Sequence, residues 1–155
     1  MLAVKAQNLS KTYKTKQESI EAVKDVSFNV KQGEIFGILG PNGAGKSSVI
    51  LMLTTLLKPT GGVAEILGLS VIGNESLVRE KIGVALQETG IDENLTGKEL
   101  LHSTSRLWGL DKQHSEKRSN DLLRLVGLLK DSNRRVKTYS GGMKRRLDLA
   151  LSLVH

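Results

Sequence analysis

The stretch Gly40-Pro41-Asn42-Gly43-Ala44-Gly45-Lys46-Ser47-Ser48 decides the fold of this chain. It fits the pattern G-x-x-x-x-G-K-[ST], the phosphate-binding loop or P-loop. An apolar segment of strand length, residues 34–39, precedes the loop, and an apolar segment of helix length, residues 49–57, follows it. Strand, glycine-rich loop and helix is the order that the motif requires. We therefore predict an α/β fold built around a P-loop.

The residue types of this loop suit the binding of phosphate. Gly43 and Gly45 allow backbone angles and close approaches that a Cβ atom would prevent, so the N–H groups of the loop can point at phosphate oxygens. The helix that begins near Lys46 adds unpaired N–H groups and the positive end of its dipole. Lys46 brings a positive charge to the β- and γ-phosphates, and the Ser47 hydroxyl can ligate Mg²⁺. The motif thus predicts a nucleoside triphosphate, without indicating its base. A chance match by a glycine-rich turn is disfavoured by the flanking segments.

Length and composition exclude several classes of protein. The chain has 155 residues, enough for one domain with a hydrophobic core. No apolar run approaches the roughly 18 residues of a membrane span, and the first residues lack a signal-peptide pattern. We therefore expect the chain in the cytosol or on the cytosolic face of a membrane. The absence of cysteine excludes disulfides and cysteine-bound metals.

The positive charge of the chain allows more than one type of partner. A formal net charge of +7 is compatible with nucleic acid, anionic lipid or a nucleotide site. The basic residues are scattered, apart from short clusters at residues 134–135 and 144–146, and we interpret the second cluster as a solvated helix face. Aromatic residues make up only 3% of the chain, which argues against a base-stacking platform. We therefore expect no nucleic-acid partner.

The remaining sequence pattern changes from strands to helices along the chain. We predict strands over residues 2–9, 26–30, 62–67 and 82–86, and a polar loop over residues 10–14. Thr96-Gly97-Lys98-Glu99 has the form of a capping box and opens a predicted helix to about residue 108. A second helix is predicted over residues 115–126 with Gly127 at its end, followed by a charged connector over residues 131–138. Three parts result: a β region with the P-loop core (1–87), a helical subdomain (88–139) and a last helix (140–155).

A second glycine motif, Tyr139-Ser140-Gly141-Gly142-Met143, precedes that last helix. Ser140 is placed to cap the helix, and residues 143, 147, 151 and 154 lie at helical spacing. Taken alone, S-G-G before a helix is a common cap and turn. A hydroxyl and two glycine N–H groups at a helix N-terminus also form an anion site. Two such sites about a hundred residues apart suggest that they bind the same phosphates.

Together these motifs resemble those of the ATP-binding cassette (ABC) ATPases. The signature of that family is L-S-G-G-Q, and Tyr139 and Met143 replace its outer residues here. Tyr-Ser-Gly-Gly-Met followed by basic residues and Leu-Asp-Leu-Ala is similar to the drug- and lipid-exporting branch, which includes daunorubicin-resistance ATPases. Gln87 matches the glutamine of the family's Q-loop, and Tyr13 matches its adenine-stacking loop. Residues 92–97 resemble the exit of the Q-loop in that branch.

The resemblance implies an ATP-binding subunit that couples ATP binding and hydrolysis to export. It would act peripherally on the cytoplasmic face of the cell membrane, with transmembrane permease subunits and a second ABC ATPase domain as partners. Two cassettes would hold ATP and Mg²⁺ between residues 40–48 of one and Ser140, Gly141 and Gly142 of the other. Lys46 and Gln87 would take part in catalysis, and Gln87 would join Ser47 as a ligand of Mg²⁺.

The resemblance covers the whole chain but not the whole cassette. The family's Walker B strand, catalytic glutamate, D-loop and switch histidine would follow His155 in the family order. His155 itself lies too early to be the switch histidine. We therefore expect the chain to correspond to the first two-thirds of a cassette, with the C-terminal part of the fold missing, and to be inactive as an ATPase on its own.

Two alternatives remain open at this point. One is a soluble ABC ATPase of translation, DNA repair or iron–sulfur assembly. DNA-repair relatives carry a long coiled coil between P-loop and signature, and no heptad run exists here, whereas a translation-type protein is not excluded. The other is a GTPase or kinase with an unrelated P-loop, which would leave Gln87 and the S-G-G motif unexplained.

Overall fold

The computed structural model describes residues 1–15, 18–85 and 90–154. Its contacts divide the chain into unit 1, Met1–Ile82, and unit 2, Gly83–His155. Among the described residues, unit 1 contains an antiparallel sheet and two helices, and unit 2 contains helices. The predicted α/β class, with an antiparallel β region and a helical part, is confirmed. The predicted division into three parts at residues 87 and 139 stays a prediction.

The sheet of unit 1 has four strands in the order β2-β1-β3-β4, and every neighbouring pair is antiparallel. The strands are β1 (Leu2–Lys14), β2 (Ser19–Lys31), β3 (Gly61–Ile66) and β4 (Leu69–Ser70). The prediction of a polar loop over residues 10–14 is wrong. Backbone pairing with β2, such as Tyr13 opposite Ile20, extends β1 through this polar segment, because strand pairing needs backbone groups rather than apolar side chains.

Helix α1 (Lys46–Leu53) follows the P-loop. It begins three residues before the start of the apolar segment 49–57 and ends four residues before the end of that segment. The helix stops there because Thr55 has a left-handed φ of +63° that no helix continues. Its side chains Val49 and Met52 pack on the sheet in a core that also contains residues 6, 9, 23, 64 and 66. A short helix, α2 (Glu75–Arg79), was not predicted and adds Val78 to this core.

The predicted strand over residues 34–39 is not formed as a regular strand. Ile35 and Leu39 are 101% and 95% exposed, whereas Ile38 packs on the core and Phe36 stacks on Phe28 at 4.9 Å between ring centroids. Within the described ranges no strand pairs with this segment, so its apolar residues have no sheet to enter. Residues 82–85 likewise form no strand, and residue 86 lies outside the described residues.

Unit 2 contains three α-helices, α3 (Gly97–Leu107), α4 (Lys112–Leu125) and α5 (Gly141–Ser152), among its described residues. Two 3₁₀ turns follow α4: Leu129–Asp131 ends at the first residue of the predicted connector (131–138), and Val136–Thr138 lies within it. The capping box is confirmed. The N–H of Glu99 donates to Thr96 Oγ1 at 3.2 Å, and the N–H of Thr96 donates to the Glu99 carboxylate at 2.8 Å. The N–H and the hydroxyl of Thr96 both donate to the Glu99 carboxylate, and these hydrogen bonds to its charged form lower the pKa of Glu99.

Helix α4 begins three residues earlier than predicted. Asp111 caps it, because its carboxylate accepts the N–H of His114 at 2.9 Å. Gly127, at φ +68°, follows the last turn as predicted. A second core joins the three helices through Leu101, Leu123 and Leu147. Among the helices that the structure describes, none is both long enough and apolar enough to span a membrane.

Candidate functional site

The P-loop is seated on strand β2 through Gly45. Gly43 and Gly45 have φ values of +82° and +83°, in the left-handed region that favours glycine. A Cβ atom at Gly45 would lie 2.3 Å from the carbonyl oxygen of Ala22 and 3.0 Å from Cγ2 of Val23. The backbone conformation and the close contact with β2 therefore both require glycine at position 45.

The N-terminus of α1 presents unpaired donors. The first backbone hydrogen bond of the helix runs from the N–H of Val49 to the oxygen of Gly45, at 2.9 Å. Among the described residues, the N–H groups of Gly45, Lys46, Ser47 and Ser48 have no backbone acceptor, as expected for a first helical turn. Gly45, as the N-cap residue, supplies no side-chain cap. These donors and the helix dipole favour an anion at this point.

Lys46 closes over the loop. Its Nζ atom donates to the carbonyl oxygens of Gly40 at 2.8 Å and Pro41 at 2.6 Å. Both acceptors are neutral, and a phosphate oxygen is a stronger acceptor for an ammonium group because it is charged. The ammonium group can therefore exchange its two carbonyl acceptors for phosphate oxygens of a triphosphate bound in the same loop.

The donor set for a metal ion in this loop is small. Ser47 is exposed at the start of α1 and offers one hydroxyl. In the part of the chain that the structure describes, no group of three or more His, Cys, Asp or Glu side chains is arranged to hold a metal. A Mg²⁺ ion that takes most of its ligands from phosphate and water fits this arrangement. Gln87, predicted as a second metal ligand and as catalytic, lies outside the described residues.

Tyr13 lies near the end of β1 and is 39% exposed. The Nζ atom of Lys11 is 5.3 Å from the centroid of its ring. Tyr13 pairs with Ile20, two residues from Ala22, and the carbonyl of Ala22 is the group that faces Gly45. The same pair of strands thus carries Tyr13 and supports the P-loop.

The second motif forms the N-terminus of α5 in unit 2. Ser140 is the N-cap, as predicted, and its Oγ accepts the N–H of Met143 at 3.3 Å. Gly141 and Gly142 are exposed and have no positive φ, and a Cβ atom on either would meet no atom within 4 Å. Their own surroundings therefore do not require glycine. A group that approaches the helix closely from outside would require it.

Sequence reasoning overlooked the surroundings of Tyr139. This side chain is 5% exposed, and its hydroxyl donates to the carbonyl oxygen of Asp131 at 2.8 Å. Burial raises the pKa of Tyr139 above its usual value. Gly97 lies directly against the hydroxyl. The sequence signal that could have indicated this contact is Gly97 itself, a glycine at the first position of a capped helix where no turn requires one.

The interpretation of residues 144–146 as a solvated face holds for Arg145 and Arg146, which are exposed, whereas Lys144 is partly buried. Lys144 forms an ion pair with Glu93. Arg146 donates to the carbonyl oxygen of Val126 at 3.0 Å, which is one of the unpaired acceptors at the end of α4. The cluster therefore joins α5 to its neighbours in unit 2.

Comparisons with known proteins identify the family. The model of the ABC transporter family matches residues 23–155. The doxorubicin resistance ATP-binding protein DrrA of Mycobacterium tuberculosis is 44% identical over 153 residues, which is 99% of this chain and 46% of the relative. The daunorubicin/doxorubicin resistance ATP-binding protein DrrA of Streptomyces peucetius is 43% identical over 98% of this chain and 45% of its own length. The chain thus spans about half the length of the curated relatives it matches.

A solved structure agrees with these relatives. The dimeric, post-hydrolysis state of the ATP-binding cassette MJ0796, bound to ADP and Pi, superposes with a TM-score of 0.83 at 29% identity. The match covers 97% of this chain and 69% of that chain. The predicted resemblance to the drug-resistance branch is confirmed, and an unrelated P-loop protein is excluded. The chain belongs to the ABC transporter family.

Proposed function

We propose that this chain is the nucleotide-binding part of an ATP-driven exporter of drugs or lipids. The observation that carries ATP binding is the P-loop, where unpaired N–H groups and Lys46 converge on one loop. The export role rests on relatives that are named for doxorubicin and daunorubicin resistance. For the transported molecule we propose only its class, a drug or a lipid.

Binding of ATP would use the open donors at the start of α1. The N–H groups of residues 45–48 would receive phosphate oxygens, and the ammonium of Lys46 would leave its two carbonyl partners for the β- and γ-phosphates. Tyr13 would place its ring against adenine. Mg²⁺ would neutralise charge on the phosphates, with the hydroxyl of Ser47 as its ligand from this loop and Gln87 as a second ligand and as a catalytic residue. Positioning and charge neutralisation are what phosphoryl transfer to water requires most.

A second cassette would complete the site. The open space at Gly141 and Gly142 supports the close approach of a ligand held by another subunit, and the similar cassette MJ0796 is described as a dimer. Ser140, Gly141 and Gly142 would face the nucleotide bound to the partner's P-loop. Permease subunits in the membrane would be the further partners, with the chain on the cytoplasmic face.

The 155 residues alone are proposed not to sustain ATP hydrolysis. The resemblance to the family implies that its water-activating carboxylate follows His155, and a missing general base costs typically 10²- to 10⁴-fold in rate. Phosphate release by residues 1–155, compared with release by the full-length protein, measures this directly. Equal rates would contradict it.

The test of the proposed function is Ser140→Arg in the full-length protein. An arginine at the N-cap removes the hydroxyl and fills the space that the partner's nucleotide would need. We expect MgATP affinity, measured by calorimetry, to stay unchanged, and steady-state hydrolysis to stop. Ser76→Arg, which adds the same charge at an exposed serine of α2, is the matched control and should leave both unchanged. Loss of MgATP binding in Ser140→Arg would contradict a site used by the partner.

A further inference from the structure

The hydroxyl of the buried tyrosine before the second motif is hydrogen-bonded to the backbone. Tyr139 directly precedes Ser140, and its hydroxyl donates to the carbonyl oxygen of Asp131 at 2.8 Å. The same oxygen also accepts the N–H of Arg134 at 2.9 Å. Loss of the tyrosine hydroxyl would therefore leave this carbonyl with a partner. The main effect of the hydroxyl is therefore to hold Tyr139 in position, because the carbonyl of Asp131 is hydrogen-bonded without it.

Gly97 is matched to that hydroxyl. A Cβ atom at Gly97 would lie 2.7 Å from Oη of Tyr139, but 3.6 Å from Cζ and 3.7 Å from Cδ1 of Leu147. The last two separations are ordinary contacts, so the hydroxyl oxygen is the atom that excludes a larger residue. Gly97 has no positive φ, so its backbone does not require glycine.

Further bonds join the same two segments. The N–H of Lys137 donates to the oxygen of Glu93 at 2.9 Å, and the N–H of Val136 donates to the oxygen of Leu95 at 2.9 Å. One turn into α5, Lys144 pairs with the side chain of Glu93. The start of α5 is therefore connected to the segment that leads into α3, and Tyr139 and Val136 are buried members of this connection.

We propose that Tyr139 is a positioning residue, whose hydroxyl, seated against Gly97, fixes the direction in which Ser140 and the N–H groups of Gly141 and Gly142 face a phosphate. The inference rests on the proposed function of the second motif. Tyr139 is buried and lies outside the P-loop unit, so it acts on the rate of hydrolysis and leaves the first binding of ATP unchanged. A displacement of about 1 Å in a positioned group can cost on the order of 100-fold in rate.

The test uses three variants of the full-length protein, Gly97→Ala, Tyr139→Phe and the double variant. Gly97→Ala must push the tyrosine hydroxyl away, and we expect kcat to fall roughly tenfold with the affinity for MgATP unchanged. Tyr139→Phe removes the link without a clash, and kcat falls less. In the double variant the clash is gone, so kcat recovers to the level of Tyr139→Phe. Each kcat is measured well below the melting temperature and normalised to folded protein.

The outcomes separate the inference from the proposed function. Ser140→Ala, which removes only the signature hydroxyl, serves as the reference. Reduced kcat in Ser140→Ala and in Gly97→Ala, with recovery in the double variant, supports the inference. If kcat is reduced in Ser140→Ala but unchanged in Gly97→Ala and Tyr139→Phe, the inference alone is overturned. The inference alone is also overturned if kcat is reduced in Gly97→Ala and does not recover in the double variant. Unchanged kcat in Ser140→Ala overturns the role of the second motif and the inference with it.

Discussion

Helices α1 and α5 both begin with a short glycine motif, but the fold requires glycine at only one of them. At α1, Gly45 has φ +83° and a Cβ atom there would lie 2.3 Å from the oxygen of Ala22. At α5, Gly141 and Gly142 have no positive φ and open space around the Cβ position. Gly45 is therefore required both by its backbone conformation in the loop and by its close contact with β2. The described surroundings of Gly141 and Gly142 do not require glycine, which is compatible with the proposed close approach of a partner's nucleotide.

The two helix starts also differ in their free donors. The N-cap of α1 is Gly45, which has no side chain to cap the helix. The N-cap of α5 is Ser140, whose hydroxyl already accepts the N–H of Met143. The P-loop thus leaves its whole first turn to an anion and adds Lys46, whereas the second motif leaves fewer donors. This difference is compatible with the proposal that the P-loop binds the nucleotide first and that the second motif contacts the nucleotide of a partner later.

The largest expected effect in this comparison is that of Gly45→Ala. A positive φ costs a residue with a Cβ about 1–2 kcal/mol, and the overlap with the backbone of β2 adds to it. We expect urea unfolding to report a loss of roughly 3 kcal/mol or more. Gly43→Ala is the matched control, since Gly43 has φ +82° but open space, and should lose only the strain. Equal losses at both positions would show that the contact with β2 is unimportant.

Lys46→Ala tests whether the first helix start is a phosphate site. Charge-assisted hydrogen bonds contribute about 1.5–3 kcal/mol, so MgATP affinity should fall roughly 10- to 150-fold by calorimetry. Stability should change little, because the two present partners of Nζ are exposed carbonyls. Lys14→Ala, an exposed lysine of β1, is the control. Unchanged affinity in folded Lys46→Ala protein would end the phosphate assignment.

The tyrosines of the two units sharpen the comparison further. Tyr13 is 39% exposed and Tyr139 is 5% exposed, so only Tyr13 is available to stack on a ligand. Stacking of a base on an aromatic ring is worth about 1–3 kcal/mol. Tyr13→Ala should weaken MgATP binding by that amount, whereas Tyr13→Phe and Tyr13→Trp should not. If Ala and Phe weaken binding to the same extent, the ring of Tyr13 does not hold the base.

The smallest effect has the opposite sign. Gly142→Ala should stabilise unit 2 by about 0.4–1 kcal/mol, because alanine fits the backbone and restricts the unfolded chain. The same variant should slow ATP hydrolysis in the full-length protein, since the added methyl group occupies space needed from outside. Thermal melting and phosphate release measure the two effects. A destabilised variant would mean that the fold does require glycine at this position.

The sequence by itself determined the features that depend on neighbours a few residues away. The hydrogen bonds of the P-loop, of the capping box of Thr96 and Glu99 and of the Ser140 cap join residues no more than six positions apart, so a local pattern predicts them. The motifs, their order and their resemblance to a known family were sufficient to indicate the ABC transporter family, which the comparisons confirmed. The antiparallel β region and the helical part were also predictable, because their periodicity is local.

Tertiary structure alone decided the features that depend on distant partners. The extension of β1 through residues 10–14 depends on pairing with β2. The pairing of Lys144 with Glu93 and the fit of Tyr139 against Gly97 join residues that are more than forty positions apart. Residues 34–39 contain apolar side chains typical of a strand, but a strand needs neighbours for its backbone groups, and the described chain supplies none. Local propensity can indicate that such a segment is a candidate strand, but contacts with distant residues determine whether the strand forms.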